Sequence, residues 1–200
     1  MDPVVLNILT VAIEEFAEHG LAGARVDAIA ARTHTSKRML YYHFDSKERL
    51  YAAALSHAYA QIRRDGPEPD YGALPVREAL SAYVGHVFDI HVAHPQFVRL
   101  VMGENLLGGR FVREMPEVRE ANLRGMAALG RLLQRGQAEG VVRADVQVLE
   151  VYANTVGLCF HFVSNRQTFA AIFEQGLDPA QVTQARRRAI IDTIERQVYP

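Results

Sequence analysis

The sequence predicts an all-α protein with a small N-terminal domain and a larger C-terminal domain. Its apolar residues recur about every 3.6 residues in nearly every periodic segment, as in amphipathic helices. No segment alternates apolar and polar residues like a half-buried strand, and no hairpin signal joins two such segments. Residues 65–75 hold three prolines and two glycines, which is typical of a linker. We therefore expect helical domains at residues 1–64 and 76–200.

Four helices are predicted before the linker. They cover residues 5–19, 26–33, 37–44 and, from Asp45 or Ser46, a stretch to about residue 64. Gly20 is a typical C-terminal cap of the first helix. Ser36 supplies a hydroxyl at the start of the third helix, and Asp45 or Ser46 supplies the cap of the fourth. These capping residues set the predicted boundaries.

Five further helices are predicted after the linker. They cover residues 76–93, 95–107, 117–139, 145 to about 173, and 179–198. Two of these starts are supported by proline, at Pro95 and Pro179, because the first turn of a helix tolerates a residue without an N–H. The C-terminal domain is therefore expected to be helical throughout.

Composition narrows the class of protein. The 200 residues are 49% hydrophobic and 22% charged, with a formal net charge of −1, as in ordinary globular proteins. The single cysteine, Cys159, excludes an internal disulfide and fits a reducing compartment. Residues 151–165 are too short and too polar to cross a membrane, and Asp2 stands where a signal peptide needs positive charge. We expect a cytoplasmic protein with no membrane partner.

A local basic patch lies at residues 25–49. This window holds six Lys or Arg against three Asp or Glu, in a chain that is nearly neutral overall. Charge alone is more typical of a solvated face. However, two short helices joined by a three-residue turn, after an amphipathic helix, form a helix-turn-helix, whose second helix lies in the DNA major groove. We expect Met39, Leu40 and Phe44 to hold that second helix in place.

The same segment resembles the N-terminal DNA-binding domain of the TetR (tetracycline repressor) family. The resemblance rests on Ile29-Ala30, on the end of the first helix at residues 16–20, and on residues 36–50, with their specific Tyr-Tyr-His-Phe-Asp-Ser-Lys-Glu run. It covers roughly residues 4–60, and the remainder resembles the family in length, helix content and order. It implies a C-terminal domain that binds a small-molecule inducer and dimerises through its last two helices.

The resemblance assigns DNA-binding roles residue by residue. The candidate residues are Arg25, Thr35, Ser36, Lys37, Arg38, Tyr41, Tyr42, His43 and Lys47. Among them, Arg38 is the candidate for a bidentate contact with guanine, and Lys47 resembles the phosphate-anchoring lysine of the family. Tyr41 serves either DNA contact or packing, and the sequence leaves both open.

Two positions depart from the family pattern. The turn reads Thr33-His34-Thr35, where the family has Ala-Gly-Val, so His34 is expected to adopt the positive φ that glycine favours. Arg25 stands where the family has Thr or Ser before the second helix. Its guanidinium can reach a phosphate, but it has no hydroxyl with which to cap that helix.

Candidate ligand-binding residues are spread over the C-terminal domain. They are Phe88, Phe97, Val101, Glu104, Asn105, Tyr152 and His161. Glu104 lies in line with Phe97 and Val101 on one face of its helix. A carboxylate on an apolar face is either a ligand anchor or a helix-end residue that turns to solvent. The aromatic candidates are more simply explained as core residues.

A dimer interface is predicted from the last two long helices. Residues 148–163 are apolar nearly all round, and such a helix in a small domain needs a second surface to cover it. The candidate interface residues are Val156, Phe160, Ile190, Ile191, Ile194 and Val198. On this hypothesis Ile194→Glu breaks the dimer and leaves the monomer helical.

The sequence carries no enzyme signature, since it has no nucleophile elbow, phosphate loop or zinc-hydrolase motif. His86, Asp89, His91 and His94 are poorly arranged for tetrahedral metal binding, so no metal and no cofactor is predicted. We predict a homodimeric regulator, a repressor that binds a pseudo-palindromic double-stranded DNA operator and is released by a small-molecule inducer. An activator or ligand-independent regulator is the alternative within this class, and an all-α enzyme with an incidental helix-turn-helix is the alternative outside it.

Overall fold

All regular secondary structure in the described part of the chain is helical, which confirms the predicted fold class. The computed structural model describes residues 2–66, 69–173 and 178–200. Within these ranges the helices are α1 (Pro3–Gly23), α2 (Val26–Arg32), α3 (Lys37–Phe44), α4 (Lys47–Asp65), α5 (Val76–Ala93), α6 (Pro95–Leu106), α7 (Pro116–Ala138), α8 (Val148–Ser164), α9 (Arg166–Phe173) and α10 (Pro179–Val198). Short 3-10 turns lie at Tyr71–Ala73 and Val112–Glu114.

Local capping interactions place the N-terminal helices where the sequence predicts them. Gly20 has a φ of 67° and interrupts α1, although one short turn follows it. The Ser36 hydroxyl accepts a hydrogen bond from the Met39 N–H at 3.2 Å. The Ser46 hydroxyl likewise accepts from the Arg49 N–H at 3.1 Å. Serine caps therefore begin α3 and α4.

The prediction of a single helix at residues 145–173 is wrong, because the chain forms two helices there. The Asn165 N–H donates to the His161 carbonyl at 3.0 Å, and the Asn165 side-chain amide donates to the same carbonyl at 3.3 Å. Such a side-chain bond to the backbone competes with continuation of a helix. Apolar residues resume after the break, which is why the sequence pattern suggests a single helix.

The chain divides into two compact units. The first unit consists of Met1–Asp65 and His94–Arg119, and the second of Gly66–Ala93 and Glu120–Pro200. The division predicted at residues 65–75 stays a prediction. The structure adds that α6 packs against α1 and α4, so His94–Arg119 shares a core with the N-terminal helices rather than with the C-terminal ones.

The core of the first unit is built around Tyr51 on α4. Its ring meets the rings of Phe16 and Phe111 edge-on, with centroids 5.1 and 5.0 Å apart. Such edge-to-face pairs are favoured over face-to-face stacking by the ring quadrupoles. Phe111 follows α6, and its contact with Tyr51 joins the end of that segment to α4.

The core of the second unit lies where α5, α8 and α10 pack together. Phe88 of α5 stacks on Phe162 of α8 with ring centroids 5.3 Å apart. The later part of the predicted linker is also fixed here, since the Arg135 guanidinium donates to the Tyr71 carbonyl at 3.2 Å and to the Leu74 carbonyl at 2.8 Å. Residues 67 and 68 of that linker lie outside the described residues.

Three residues predicted for the dimer interface belong to this core instead. Ile190, Ile194 and Val198 are at most 2% exposed within the single chain. They cannot face a partner, because α5 and α8 already cover that side of α10. Val156, Phe160 and Ile191 are partly exposed and stay candidates.

The burial of Ile194 changes the result expected for its substitution. Ile194→Glu places a carboxylate in the apolar core of the second unit, where a buried charge is strongly destabilising. We expect circular dichroism to show loss of helix content at temperatures where the wild type is folded. A fully helical variant would show that this side of α10 is not covered by the chain itself.

Candidate nucleic-acid interface

The helix α3 separates a buried face from an exposed one. Leu40 and Phe44 are buried, whereas Arg38, Met39 and Tyr42 are exposed, Met39 by 41% and Tyr42 by 77%. Because successive residues are rotated by about 100°, these three side chains share the face opposite the core. The prediction that Met39 packs inward is therefore wrong. The exposed face of α3, defined by these three residues, offers a guanidinium, a thioether and a phenol.

The turn before α3 has the predicted backbone geometry without glycine. His34 has a φ of 53°, in the left-handed region. The buried Thr33 hydroxyl donates to the Ile29 carbonyl at 2.8 Å, and the Thr35 N–H donates to the Ala30 carbonyl at 3.1 Å. These bonds tie the turn to α2, so the strain of a non-glycine residue is offset locally.

A buried carboxylate from α1 satisfies the N-terminus of α2. Arg25 provides no side-chain cap, but its backbone N–H donates to Glu15 Oε1 at 2.9 Å. A carboxylate at this end also interacts favourably with the helix dipole. Glu15 is absent from the residues that the sequence singles out, although one signal is present: it lies three residues after Ala12 and seven after Ile8, in line with the apolar stripe.

All nine residues predicted to contact DNA lie at the surface of the first unit. Arg25, Ser36, Lys37, Arg38, Tyr41 and Tyr42 are exposed, and Thr35, His43 and Lys47 are half-buried. Lys37 Nζ lies 3.2 Å from Asp27 Oδ2, and Lys47 Nζ donates to the Ala22 carbonyl at 3.1 Å. Exposed ion pairs contribute little stability, so the Lys37 ammonium can exchange Asp27 for a phosphate. The Lys47 ammonium has three donors, so its bond to a carbonyl leaves donors for a phosphate.

The candidate ligand-binding residues are divided between the two units. Phe97, Val101, Glu104 and Asn105 belong to the first unit, and Phe88, Tyr152 and His161 to the second. Phe88 is a buried core residue and Asn105 is exposed. The Tyr152 hydroxyl donates to Asn122 Oδ1 at 3.2 Å, while His161 lines a cavity.

Neither alternative that the sequence offers for Glu104 describes its surroundings. It is 3% exposed, and its Oε1 accepts from the backbone N–H groups of Phe111 at 2.6 Å and Val112 at 3.1 Å. Its Oε2 accepts from the Tyr51 hydroxyl at 3.4 Å. Burial, together with this carboxylate, raises the pKa of that hydroxyl and keeps it a donor. Glu104 therefore binds its own chain and is not a ligand anchor.

The surroundings of Arg187 and Cys159 give each of them a structural role. Arg187 Nε and Nη2 each donate to the Asp89 carboxylate at 2.9 Å, and burial raises the pKa of the Cys159 thiol to about 12. Among residues 2–66, 69–173 and 178–200 no group of three or more His, Cys, Asp or Glu is placed to hold a metal ion. No helix in these ranges is long and apolar enough to span a bilayer.

Two short helices, a tight turn and an exposed second helix define a helix-turn-helix DNA-binding protein. A family model described as "Bacterial regulatory proteins, tetR family" matches residues 8–54. A second model, "Tetracyclin repressor-like, C-terminal domain", matches residues 75–194, more than half of the chain. The chain belongs to the TetR family, and it is a transcriptional regulator rather than an enzyme.

Similar proteins agree with this assignment. The chain is 30% identical over 175 residues to the HTH-type transcriptional repressor NicS of Pseudomonas putida, covering 88% of this chain and 82% of that protein. It is 32% identical over 140 residues to the HTH-type transcriptional repressor SCO4008 of Streptomyces coelicolor, covering 68% and 66%. The crystal structure of the regulator SCO4942 from Streptomyces coelicolor matches 98% of both chains, with 28% identity and a TM-score of 0.72. A TetR family regulator from Marinobacter aquaeolei shares the fold, with 20% identity, a TM-score of 0.71, and 99% and 96% coverage.

Proposed function

We propose that this regulator is a homodimeric repressor that binds a pseudo-palindromic operator in the cytoplasm and is released by a small molecule. The observation that carries the DNA-binding part is the exposed face of α3, where Arg38, Met39 and Tyr42 have no role in the core. Repression is supported by similarity to two repressors. Adding the protein to an in vitro transcription reaction from its target promoter should lower transcript yield, and a rise would identify an activator instead.

In this proposal the exposed face of α3 contacts the DNA bases, and the flanking cations contact the phosphate backbone of the DNA. An arginine can donate two hydrogen bonds to guanine, and apolar side chains can contact the thymine methyl group. Arg38 fits the first role, and Met39 or Tyr42 the second. Lys37 and Lys47 are point charges, which suits phosphate contacts that position the protein without reading sequence.

Arg38→Ala is expected to lower operator affinity by about 1–3 kcal/mol for each half-site and to relax base preference at one position in each half-site. The reason is the loss of a bidentate contact with a particular base. Fluorescence anisotropy with operator duplexes mutated one base pair at a time measures both effects. Arg99→Ala is the matched control, since it removes an exposed arginine of α6 outside the helix-turn-helix.

Lys47→Ala is expected to weaken binding to specific and random duplexes alike. A phosphate contact acts by releasing counterions, and the dimer loses one such cation from each copy, so the slope of log affinity against log salt should fall by about 1.8, or about 0.9 for each copy. Anisotropy titrations at several salt concentrations give this slope. If Arg38→Ala and Lys47→Ala both lose affinity equally on specific and random DNA, the division between base reading and phosphate contact is wrong.

We further propose that two copies associate through the exposed faces of α8 and α10. Ala153 and Gly157 on α8 lie outside the core, and Ile191 on α10 is partly exposed. Small side chains allow two helices to approach closely. A Cβ added to Gly157 would meet no atom within 4 Å, so the fold of the single chain does not require a glycine there. Close approach by a second copy would explain why glycine stands at this position.

The proposed release mechanism follows from the geometry of DNA. Two recognition helices enter successive major grooves when they are about 34–36 Å apart. A ligand lowers operator affinity only if it binds more tightly to a state with a different spacing. The ligand is therefore proposed to stabilise a dimer whose recognition helices do not match the operator.

A further inference from the structure

A cavity of about 360 Å³ lies in the second unit among α8, α9 and α10. Its apolar lining includes Phe162 of α8, Phe169 of α9 and Val182 of α10. This volume falls within the range of small-molecule sites, which are mostly apolar with a few polar groups that fix orientation. The cavity is separate from the residues that the sequence predicts for the ligand site, apart from His161.

Cationic groups converge on this apolar cavity. Arg166 and Arg186 line it together with the His161 imidazole, and both arginine side chains are half-buried. No carboxylate in the described ranges forms an ion pair with either arginine. The adjacent Arg187 differs, because Asp89 neutralises it through two hydrogen bonds. The cavity therefore carries positive charge that the described residues do not balance.

We propose that this cavity binds a small organic carboxylate with an apolar body. Guanidinium groups present planar donors that match the two oxygens of a carboxylate, and a partly buried cation favours an anion as its partner. The rings of Phe162 and Phe169 and the Val182 side chain suit a hydrocarbon chain or an aromatic ring. A free inorganic anion would leave this apolar lining unused.

This inference deepens the proposed function and rests on it, because a ligand in this cavity would be the one that releases the operator. The test begins without DNA, by isothermal titration calorimetry of the full chain with octanoate and benzoate. Comparison with the neutral analogues 1-octanol and benzyl alcohol isolates the contribution of the carboxylate charge to affinity. Calorimetry suits a chain without tryptophan, whose intrinsic fluorescence is a weak probe.

We expect the carboxylates to bind about 10- to 100-fold more tightly than the alcohols, the range of a hydrogen bond to a charged group. Octanoate should bind more tightly than hexanoate by about fourfold per methylene. Arg166→Gln and Arg186→Gln should each remove most of the preference for the carboxylate. Arg188→Gln is the matched control on α10, because Arg188 is exposed and does not line the cavity.

Three results would overturn the proposal: no saturable binding of either acid, equal binding of acid and alcohol, or an equal loss in Arg186→Gln and Arg188→Gln. Unchanged melting temperatures confirm that the variants are folded. Operator binding is measured separately for each protein. A wild type that does not bind DNA contradicts the proposed function, whereas intact operator binding without charge-dependent ligand binding contradicts only the cavity assignment. Octanoate or benzoate should release operator from the wild type and not from Arg186→Gln.

Discussion

Gly157→Glu is expected to separate the proposed dimer into folded monomers and to lower operator affinity by about 100-fold or more. In a twofold interface the carboxylate of each copy would be buried close to its symmetry mate without a compensating cation. Two linked DNA-binding domains bind roughly 10²–10⁴-fold more tightly than one domain, and a monomer loses this gain in affinity. The single chain should tolerate the change, since the added Cβ meets nothing within 4 Å.

Sedimentation equilibrium measures the association, and circular dichroism verifies that the variant keeps its helices. Replacing glycine in a helix stabilises it by about 0.5–1 kcal/mol, but the monomer also loses the stability that association adds to the wild type. Helix content below the melting transition, and not the melting temperature, therefore shows that the variant is folded. Gln134→Glu makes a comparable charge change at an exposed position of α7 and should remain dimeric. A Gly157→Glu dimer of unchanged strength would place the interface elsewhere.

Glu104→Ala is expected to lower the free energy of unfolding of the first unit by about 3 kcal/mol. The substitution leaves the N–H groups of Phe111 and Val112 and the Tyr51 hydroxyl without their acceptor. Removing a hydrogen bond to a charged group costs about 1.5–3 kcal/mol, and local relaxation or water recovers part of the sum. The segment that follows α6 should then detach from α4.

Urea denaturation gives the stability, and amide hydrogen exchange at Phe111 and Val112 locates the change. Glu104→Gln is the matched variant, since its amide oxygen can still accept from the backbone while the negative charge is gone. We expect it to lose about half as much stability as the alanine variant. Stability of Glu104→Ala within about 0.5 kcal/mol of the wild type would mean that this carboxylate is solvated.

Features set by short-range interactions could be predicted from the sequence. The serine caps at Ser36 and Ser46 bond to N–H groups three residues ahead. In both caps the interacting groups lie within one turn of chain, so the residue types themselves indicate the geometry. The positive φ of His34 is implied by the resemblance, because the TetR family has glycine at this position.

Features that depend on distant partners could not be predicted. A carboxylate on an apolar stripe gives the same pattern whether it binds a ligand or a buried N–H, so the pattern does not show that Glu15 caps α2 or that Glu104 holds Phe111. The apolar face of Ile194 likewise fits a partner subunit and the core of the same chain equally well. The packing of α5, α8 and α10 decides between them.

The central claim, that α3 reads a palindromic operator in a dimer, is tested most directly by selecting binding sites for the purified chain from a pool of random duplex DNA. The account predicts enrichment of inverted repeats whose half-sites present major grooves about 34–36 Å apart. It also predicts that Arg38→Ala broadens the selected sequence at one position in each repeat. The claim would be contradicted if no inverted repeat were enriched. It would also be contradicted if Arg38→Ala selected the same sequences as the wild type.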